Sequence, residues 1–350
     1  MSPTGRDRKN GVKVLLIIRF CLGRGLPILD VTGAWPVIFG VRAMFFIGGL
    51  LGLMVTGLMM DLGGLMSPSG DDEDDPDITP ETDSDLPPIL PEEDPPLADV
   101  PDSPEIDGSA GADILMGGTG SDVIRGDDGA DDLRGGLGDD LIYAGQGDDW
   151  VQGDAAYGEG GNDIIHGGPG DDMLAGQGGG DLVYGDAGDD TLFGGEGDDS
   201  LFGGAGNDIL AGHDGDDVLV SSQGSDDLDG GAGDDVLIGH DGRETVWMNG
   251  GEGDDTLMPG AHDFVSGNDG RDSFILRDTG QGLPIIADFD AAQDQVVLHL
   301  DAETARDADI TLHQDQDGTY LLGVNGHAVG RFLQGGGLTV GDIRVVTTAG

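Results

Sequence analysis

The sequence predicts an all-β chain. Its main body is a parallel solenoid of nine-residue units with a small β cap after it, and an acidic linker and one hydrophobic helix before it. Three observations carry this reading. Glycine fills 69 of 350 positions, Asp and Glu fill another 69 against 15 Lys and Arg, and one nine-residue pattern runs through residues 108–275. The expected organisation is a basic segment over 1–42, a hydrophobic helix over 43–60 and an acidic, Pro-rich linker over 61–107. The repeat solenoid over 108–275 and a carboxy-terminal β region over 276–350 complete it.

Composition excludes several classes at once. A single cysteine, Cys21, rules out a disulfide-stapled scaffold and any Cys-ligated cluster. A nucleic-acid binder needs clustered Lys and Arg for phosphate contacts, and the only lysines are Lys9 and Lys13. A net charge of −54 ordinarily means disorder. A fold here must therefore include something that cancels the charge.

The charge is split along the chain. Residues 1–60 carry seven basic groups and two acids, and the remainder carries 67 acids and eight arginines. Eighteen uncharged residues, 43–60, stand between Arg42 and Asp61. As a helix they span roughly 27 Å at ~1.5 Å per residue, enough for a short membrane crossing. Basic residues precede this stretch and acids follow it, which places the amino terminus inside and residues 61–350 outside. Two readings stay open: a start at Met44, with 44–60 as an amino-terminal anchor, or a full-length chain with 1–42 as a cytoplasmic anchor. The linker that follows combines proline with runs such as Asp71-Asp72-Glu73-Asp74-Asp75 and has little to bury, so it is expected to be disordered and extended.

The repeats show most clearly in the middle. Gly194-Gly195-Glu196-Gly197-Asp198-Asp199-Ser200-Leu201-Phe202 is followed at once by Gly203-Gly204-Ala205-Gly206-Asn207-Asp208-Ile209-Leu210-Ala211. Five units run from Gly108, nine from Gly158, and single units start at Gly250 and Gly267. All sixteen have Gly at the fourth place, Asp at the sixth and an apolar residue at the eighth. The sixth-place acids are Asp113, Asp122, Asp131, Asp140, Asp149, Asp163, Asp172, Asp181, Asp190, Asp199, Asp208, Asp217, Asp226, Asp235, Asp255 and Asp272.

The three columns have a physical meaning. Glycines allow tight turns, and places seven to nine make a short strand with place eight inward and its neighbours outward. One inward side chain per unit can be buried only by stacking. Stacking at ~4.8 Å lines up the sixth-place carboxylates, which at an effective dielectric of ~20 repel by roughly 3 kcal/mol per neighbouring pair. A divalent cation between turns reverses that sign, and carboxylate and carbonyl oxygens select calcium over zinc or copper.

This pattern resembles the G-G-x-G-x-D-x-U-x nonapeptide of the RTX (repeats-in-toxin) family, known as hemolysin-type calcium-binding repeats. The resemblance implies a parallel β-roll with two nonapeptides per turn and calcium between loops on each edge. Asp113, Asp131 and Asp149 would then share one edge, and Asp122 and Asp140 the other. Runs of five and nine units imply about ten Ca2+ ions in all. Departures are expected to disturb the roll. Gly153-Asp154-Ala155-Ala156-Tyr157 reads as an insertion that bulges or breaks it. Residues 239–249 form an over-long unit, with Glu244 sixth and Val246 inward. Residues 259–266 are one short, with Asp263 as the acid, and Ser221 and Ser222 replace opening glycines.

Beyond Leu276 the period stops and strand-like runs appear at 284–290, 296–300, 310–312, 320–324 and 342–346, with Asn325-Gly326 as a hairpin turn. They read as a cap over the open end of the roll. Asp288-Phe289-Asp290 resembles the carboxy-terminal regions of RTX proteins, which implies an uncleaved type I secretion signal. No H-E-x-x-H and no G-x-S-x-G occurs, and the seven histidines form no catalytic pattern. His213 and His240 read as solvated loop residues, and Trp35, Trp150 and Trp247 as too scattered for a stacking platform.

The function expected is that of a non-enzymatic, secreted calcium-binding module that folds on calcium and has a structural, adhesive or surface-associated role. Its expected partners are calcium, cell-surface glycans and a secretion apparatus, with membrane attachment through 43–60 and no nucleic acid. Two alternatives stay open: a secretion and folding module serving a separate enzyme or toxin, and an accessory carbohydrate-binding surface.

Overall fold

In the computed structural model, the described residues are 81–82, 105–154, 160–278, 280, 282–335 and 337–348. The basic segment 1–42, the hydrophobic stretch 43–60, Cys21, Trp35 and most of the linker lie outside them. Among the described residues no helix is long and apolar enough to cross a membrane.

Each unit contributes one strand, and consecutive strands go to opposite sheets. The first sheet begins with Glu105–Ser109 and Val123–Asp127, the second with Ile114–Met116 and Asp132–Gly136. Each sheet has thirteen strands among the described residues. Pairing is parallel and steps by two units: Leu192 is level with Leu174 and Leu210, and Leu201 with Val183 and Leu219. Two units therefore make one turn. From Ile124 to Phe274 the eighth-place side chains are fully buried and form one continuous core.

Strands are longer than three residues where the next unit's opening stays extended, as in Thr191–Glu196 and Ile209–Asp214. The chain then turns through left-handed backbone at places two and four, with φ of 136° at Gly195 and 126° at Gly197. Place two also accepts Asp186 and His213 at 69° and 85°.

The stack begins before Gly108. Ile106 is level with Ile124, so residues 105–107 act as the strand of a further unit rather than as linker. Nor does the insertion break the roll. Leu141 pairs with Ile164 and Trp150 with Met173, a step of 23 in place of 18, and both sheets continue. Gly153 and Asp154 still belong to the strand Trp150–Asp154, and Gly153 opens the unit that carries Asp163. The extra residues lie at 155–159, outside the described residues.

The over-long unit is phased differently from the sequence expectation. Trp247 is level with Asp227, so Met248 holds the eighth place, and Val246, fully buried in the core as expected, stands where the sixth-place acid would be. Glu244 is exposed. Sheet pairing sets this phase, because the strand Trp247–Glu252 must lie level with its neighbour wherever the loop residues fall.

After the repeats, Gln295–Asp301 and Ile343–Thr348 extend the first sheet in parallel. Ile285–Ile286 and His327–Phe332 extend the second. Tyr320–Val324 and Ile310–Gln314 then add antiparallel strands, and Asn325-Gly326, both with positive φ, makes the hairpin turn. Phe289 of the Asp-Phe-Asp run is buried edge-on between Phe274 and Phe332, at ring separations of 5.9 and 5.4 Å.

Candidate metal centre

The sixth-place aspartates fall into two columns, one beside each sheet. Asp113, Asp131, Asp149, Asp172, Asp190, Asp208 and Asp226 precede strands of the second sheet. Asp122, Asp140, Asp163, Asp181, Asp199, Asp217, Asp235, Asp255 and Asp272 precede strands of the first. All but Asp113 are buried, at 3% exposure or less. The carboxyl groups do not face one another across the turns. From Asp131 and Asp140 onward, Oδ1 accepts the backbone N–H of the aspartate one turn earlier: Asp181 donates to Asp199 at 2.7 Å, Asp172 to Asp190 at 2.8 Å and Asp199 to Asp217 at 2.7 Å. The ladder crosses the insertion intact, with Asp140 donating to Asp163 at 2.8 Å.

The second oxygen is different. Oδ2 is buried without a hydrogen-bond partner in Asp131, Asp140, Asp149, Asp163, Asp172, Asp181, Asp190, Asp199, Asp208, Asp217, Asp235 and Asp255. Burial pushes up the carboxyls of Asp140, Asp149, Asp163, Asp172, Asp181, Asp190, Asp199, Asp208, Asp217, Asp235 and Asp255, with neighbouring acids adding to the effect and the ladder N–H opposing it. Asp163 and Asp181 rise to about 8, and Asp140, Asp172, Asp190, Asp199 and Asp235 to about 7. A dozen buried oxygens with no donor facing them are costly to ionise and suited to a cation.

The opening glycine makes room for that oxygen. A Cβ on Gly194 would strike Oδ2 of Asp199 and stand 2.8 Å from the carbonyl oxygen of Gly212, one turn on. Gly203, Gly212, Gly230, Gly250 and Gly267 face their own unit's aspartate in the same way. Carboxylate and main-chain oxygens thus line each cradle. Among the described residues no three His, Cys, Asp or Glu side chains converge on one point. A cage built from side chains alone, as zinc or copper favours, is therefore not what the described residues build. Mixed carboxylate and carbonyl oxygens suit calcium.

Some units depart from this. Asp113 Oδ2 accepts the Ser109 N–H at 2.7 Å, and Asp122 Oδ2 accepts the Gly118 N–H at 2.5 Å. Asp226 Oδ2 accepts the hydroxyl of Ser221, which replaces the opening glycine, and the next level of its column is Val246. The two runs of units form one stack across the insertion.

Two further acids, Asp263 and Asp294, join the columns, and a third, Asp288, meets the opening of the last unit. Asp263 is fully buried and accepts the N–H of Val246 at 3.1 Å and of Gly260 at 2.7 Å. Asp294 accepts the N–H of Asp272 at 3.2 Å, and Asp288 those of Gly267 and Asn268. Asp294 was legible in Asp294-Gln295-Val296, which keeps the acid-x-apolar spacing without the glycines. His240 is not a free loop residue: its Nδ1 accepts the Gly242 N–H, and its Nε2 lies 2.9 Å from the Gly224 carbonyl oxygen.

A family described as RTX calcium-binding nonapeptide repeat (4 copies) matches residues 107–142, 125–156, 153–183, 184–219, 220–257 and 246–261. Residues 107–261 carry RTX calcium-binding nonapeptide repeats. RTX repeats bind calcium, and the buried aspartate ladder has the donors such binding needs. Among solved structures, the chain is similar to the extracellular lipase LipA from Serratia marcescens at 19% identity and a TM-score of 0.18. That match covers 70% of this chain and 40% of the lipase. No curated protein matches the chain.

Proposed function

We propose that the chain is a secreted, non-enzymatic RTX module whose roll folds when calcium enters the aspartate ladders, and that its role is structural, adhesive or surface-associated. The twelve buried, unpartnered Oδ2 atoms carry this reading. Without a cation each is a desolvated acceptor, and together they oppose folding. With calcium bound the same oxygens become ligands, and binding energy becomes folding energy. The aspartates of both columns hold the ions, the opening glycines keep the cradles clear, and the carboxy-terminal strands close the end of the roll. Extracellular calcium, and not cytosolic calcium, is then the folding trigger, which keeps the chain unfolded until export.

Far-UV circular dichroism of the chain during a calcium titration tests this. Folding is expected at ~0.1–1 mM, the range of extracellular modules. Full β signal in excess chelator refutes it.

A further inference from the structure

Asp154 is a buried acid outside the two sixth-place columns. It stands at the second place of the interrupted unit, at the end of the strand Trp150–Asp154. Asp127, Asp186 and His213 hold the same place in other units, and all three are exposed. Asp154 is only 3% exposed. Its Oδ1 is buried with no hydrogen-bond partner, and among the described residues no other acid off those columns has such an oxygen.

The other oxygen explains why the side chain turns inward. In the turns that follow, the fourth-place N–H reaches the third-place carbonyl one turn on, Gly179 to Glu196 at 2.8 Å and Gly197 to Asp214 at 2.7 Å. At the insertion the N–H in that position belongs to Gly161, and it donates to Asp154 Oδ2 at 3.0 Å. The Gly178 N–H faces the same carboxyl. Asp154 thus stands in for a main-chain acceptor, but that tie accounts for Oδ2 alone. A Cβ on Gly160 would lie 2.3 Å from Asp154 Oδ2 and 1.8 Å from the carbonyl oxygen of Gly178. One on Gly153 would lie 2.1 Å from Asp163 Oδ2 and 2.8 Å from the carbonyl oxygen of Gly176. One loop therefore gathers two carboxyl groups and two carbonyl oxygens of the next turn, and glycine keeps it open. Burial raises Asp154, Asp140, Asp163 and Asp181 above the usual carboxylate range, and the charge of Asp154 adds to the rise in the last three. The adjoining turns hold no side chain to offset this charge, since no Lys or Arg occurs between Arg134 and Arg243. A desolvated oxygen among carboxylates, with no donor and no basic side chain beside it, calls for a cation.

We propose that Asp154 Oδ1 and Asp163 Oδ2 together hold one divalent cation, calcium, at the insertion. This level then offers two buried carboxylates where its neighbours offer one. The site rests on the calcium reading of the ladders and adds to it a ligand that no sixth place supplies. Ligand charge tunes calcium affinity, so this ion is the tightest of its column. It sits where the step between levels lengthens from 18 residues to 23, and it ties the roll together there.

The test counts calcium ions on the full chain by equilibrium dialysis, with folding followed by circular dichroism. Asp154→Asn keeps an acceptor for Gly161 and removes the charge. It is expected to bind one ion fewer at saturation and to lose the tightest step, with the first midpoint raised about fivefold or more. Asp154→Ala, which removes the acceptor as well, should show the same count and a lower melting temperature. Asp199→Asn is the reference for the ladders. A parent count and midpoint in Asp154→Asn, beside a loss in Asp199→Asn, overturns the site and leaves Asp154 as a loop tie within an intact calcium reading. Loss of an ion in the Ala chain alone has the same meaning. An Asn chain that no longer folds at saturating calcium also overturns it, since one lost ion leaves the other cradles filled. A parent chain that takes up no calcium overturns the site and the calcium reading together.

Discussion

The backbone N–H of Asp181 donates to Oδ1 of Asp199 at 2.7 Å, while Oδ2 of Asp199 is buried with no donor at all. One carboxyl group therefore has two tasks. Its first oxygen ties two turns together whether or not a cation is present, and its second is useful only to a cation.

Replacing Asp199 separates the two tasks. Asp199→Asn keeps the acceptor for Asp181 and removes the buried charge, so in chelator its residual β signal should match or exceed that of the parent, while calcium stoichiometry falls. Asp199→Ala also strands the Asp181 N–H and should cost a further ~1–3 kcal/mol in urea melts. Asp198→Ala, at an exposed position that accepts only the rim amide of Asp216, should leave calcium binding nearly unchanged. Equal calcium loss at 198 and 199 would show that the columns are wrongly phased.

Glycine at the first place should be indispensable, and at the fourth place of the stack's first turn dispensable. Gly194→Ala puts a methyl against Asp199 Oδ2 and is expected to cost about 1–3 kcal/mol and to raise the calcium midpoint. Gly120→Ala meets nothing within 4 Å and should stay within about 0.5 kcal/mol of the parent in the same melts.

In chelator, acid should stabilise the roll. Burial raises Asp163 and Asp181 to about 8, and Asp140, Asp172, Asp190, Asp199 and Asp235 to about 7, against 3.8 for the free carboxyl. The folded state thus binds more protons than the unfolded one between about pH 4 and pH 8, and stability falls as pH rises through that window. Calcium binding runs the other way, since its ligands must be ionised, so the calcium midpoint should climb as pH drops below about 7. Circular dichroism with and without chelator at several pH values checks both slopes. A chelator-state stability that grew with pH would contradict the burial of these carboxyls.

The level occupied by Val246 is a gap in the ladder, flanked by an Asp226 whose Oδ2 is already bonded to Ser221. Ser221→Gly combined with Val246→Asp should restore an ordinary level and raise the calcium count by about one, with lower stability in chelator because another buried charge has been added. Isothermal titration of the double variant against the parent reads this directly, and an unchanged count would place the gap elsewhere.

The repeat alone revealed the architecture. Glycine at fixed places, Asp at the sixth and a branched or aromatic side chain at the eighth are local requirements of a tight turn followed by a short strand. Every unit repeats them, so Leu192, Leu201 and Leu210 could be placed in the core, and Asp190, Asp199 and Asp208 in the ladders, before any coordinates. The conflict between stacking and like charge could also be read from the sequence, and with it the need for a cation.

Other features depend on register between turns, which no single unit encodes. Met248 takes the eighth place two residues after Val246, and the roll passes the insertion near Asp154, because parallel pairing constrains only the strands and lets loops absorb extra residues. Asp294 enters the column without glycines around it for the same reason. The amide that each carboxylate accepts across the turn was invisible in the sequence, since every residue has a backbone N–H and only the stack decides where it points. Burial of the outward Phe202–Ile275 column also follows from the assembled sheet. By its own strand's alternation Phe202 is a surface residue, and only the stack brings Tyr184 and Val220 against it.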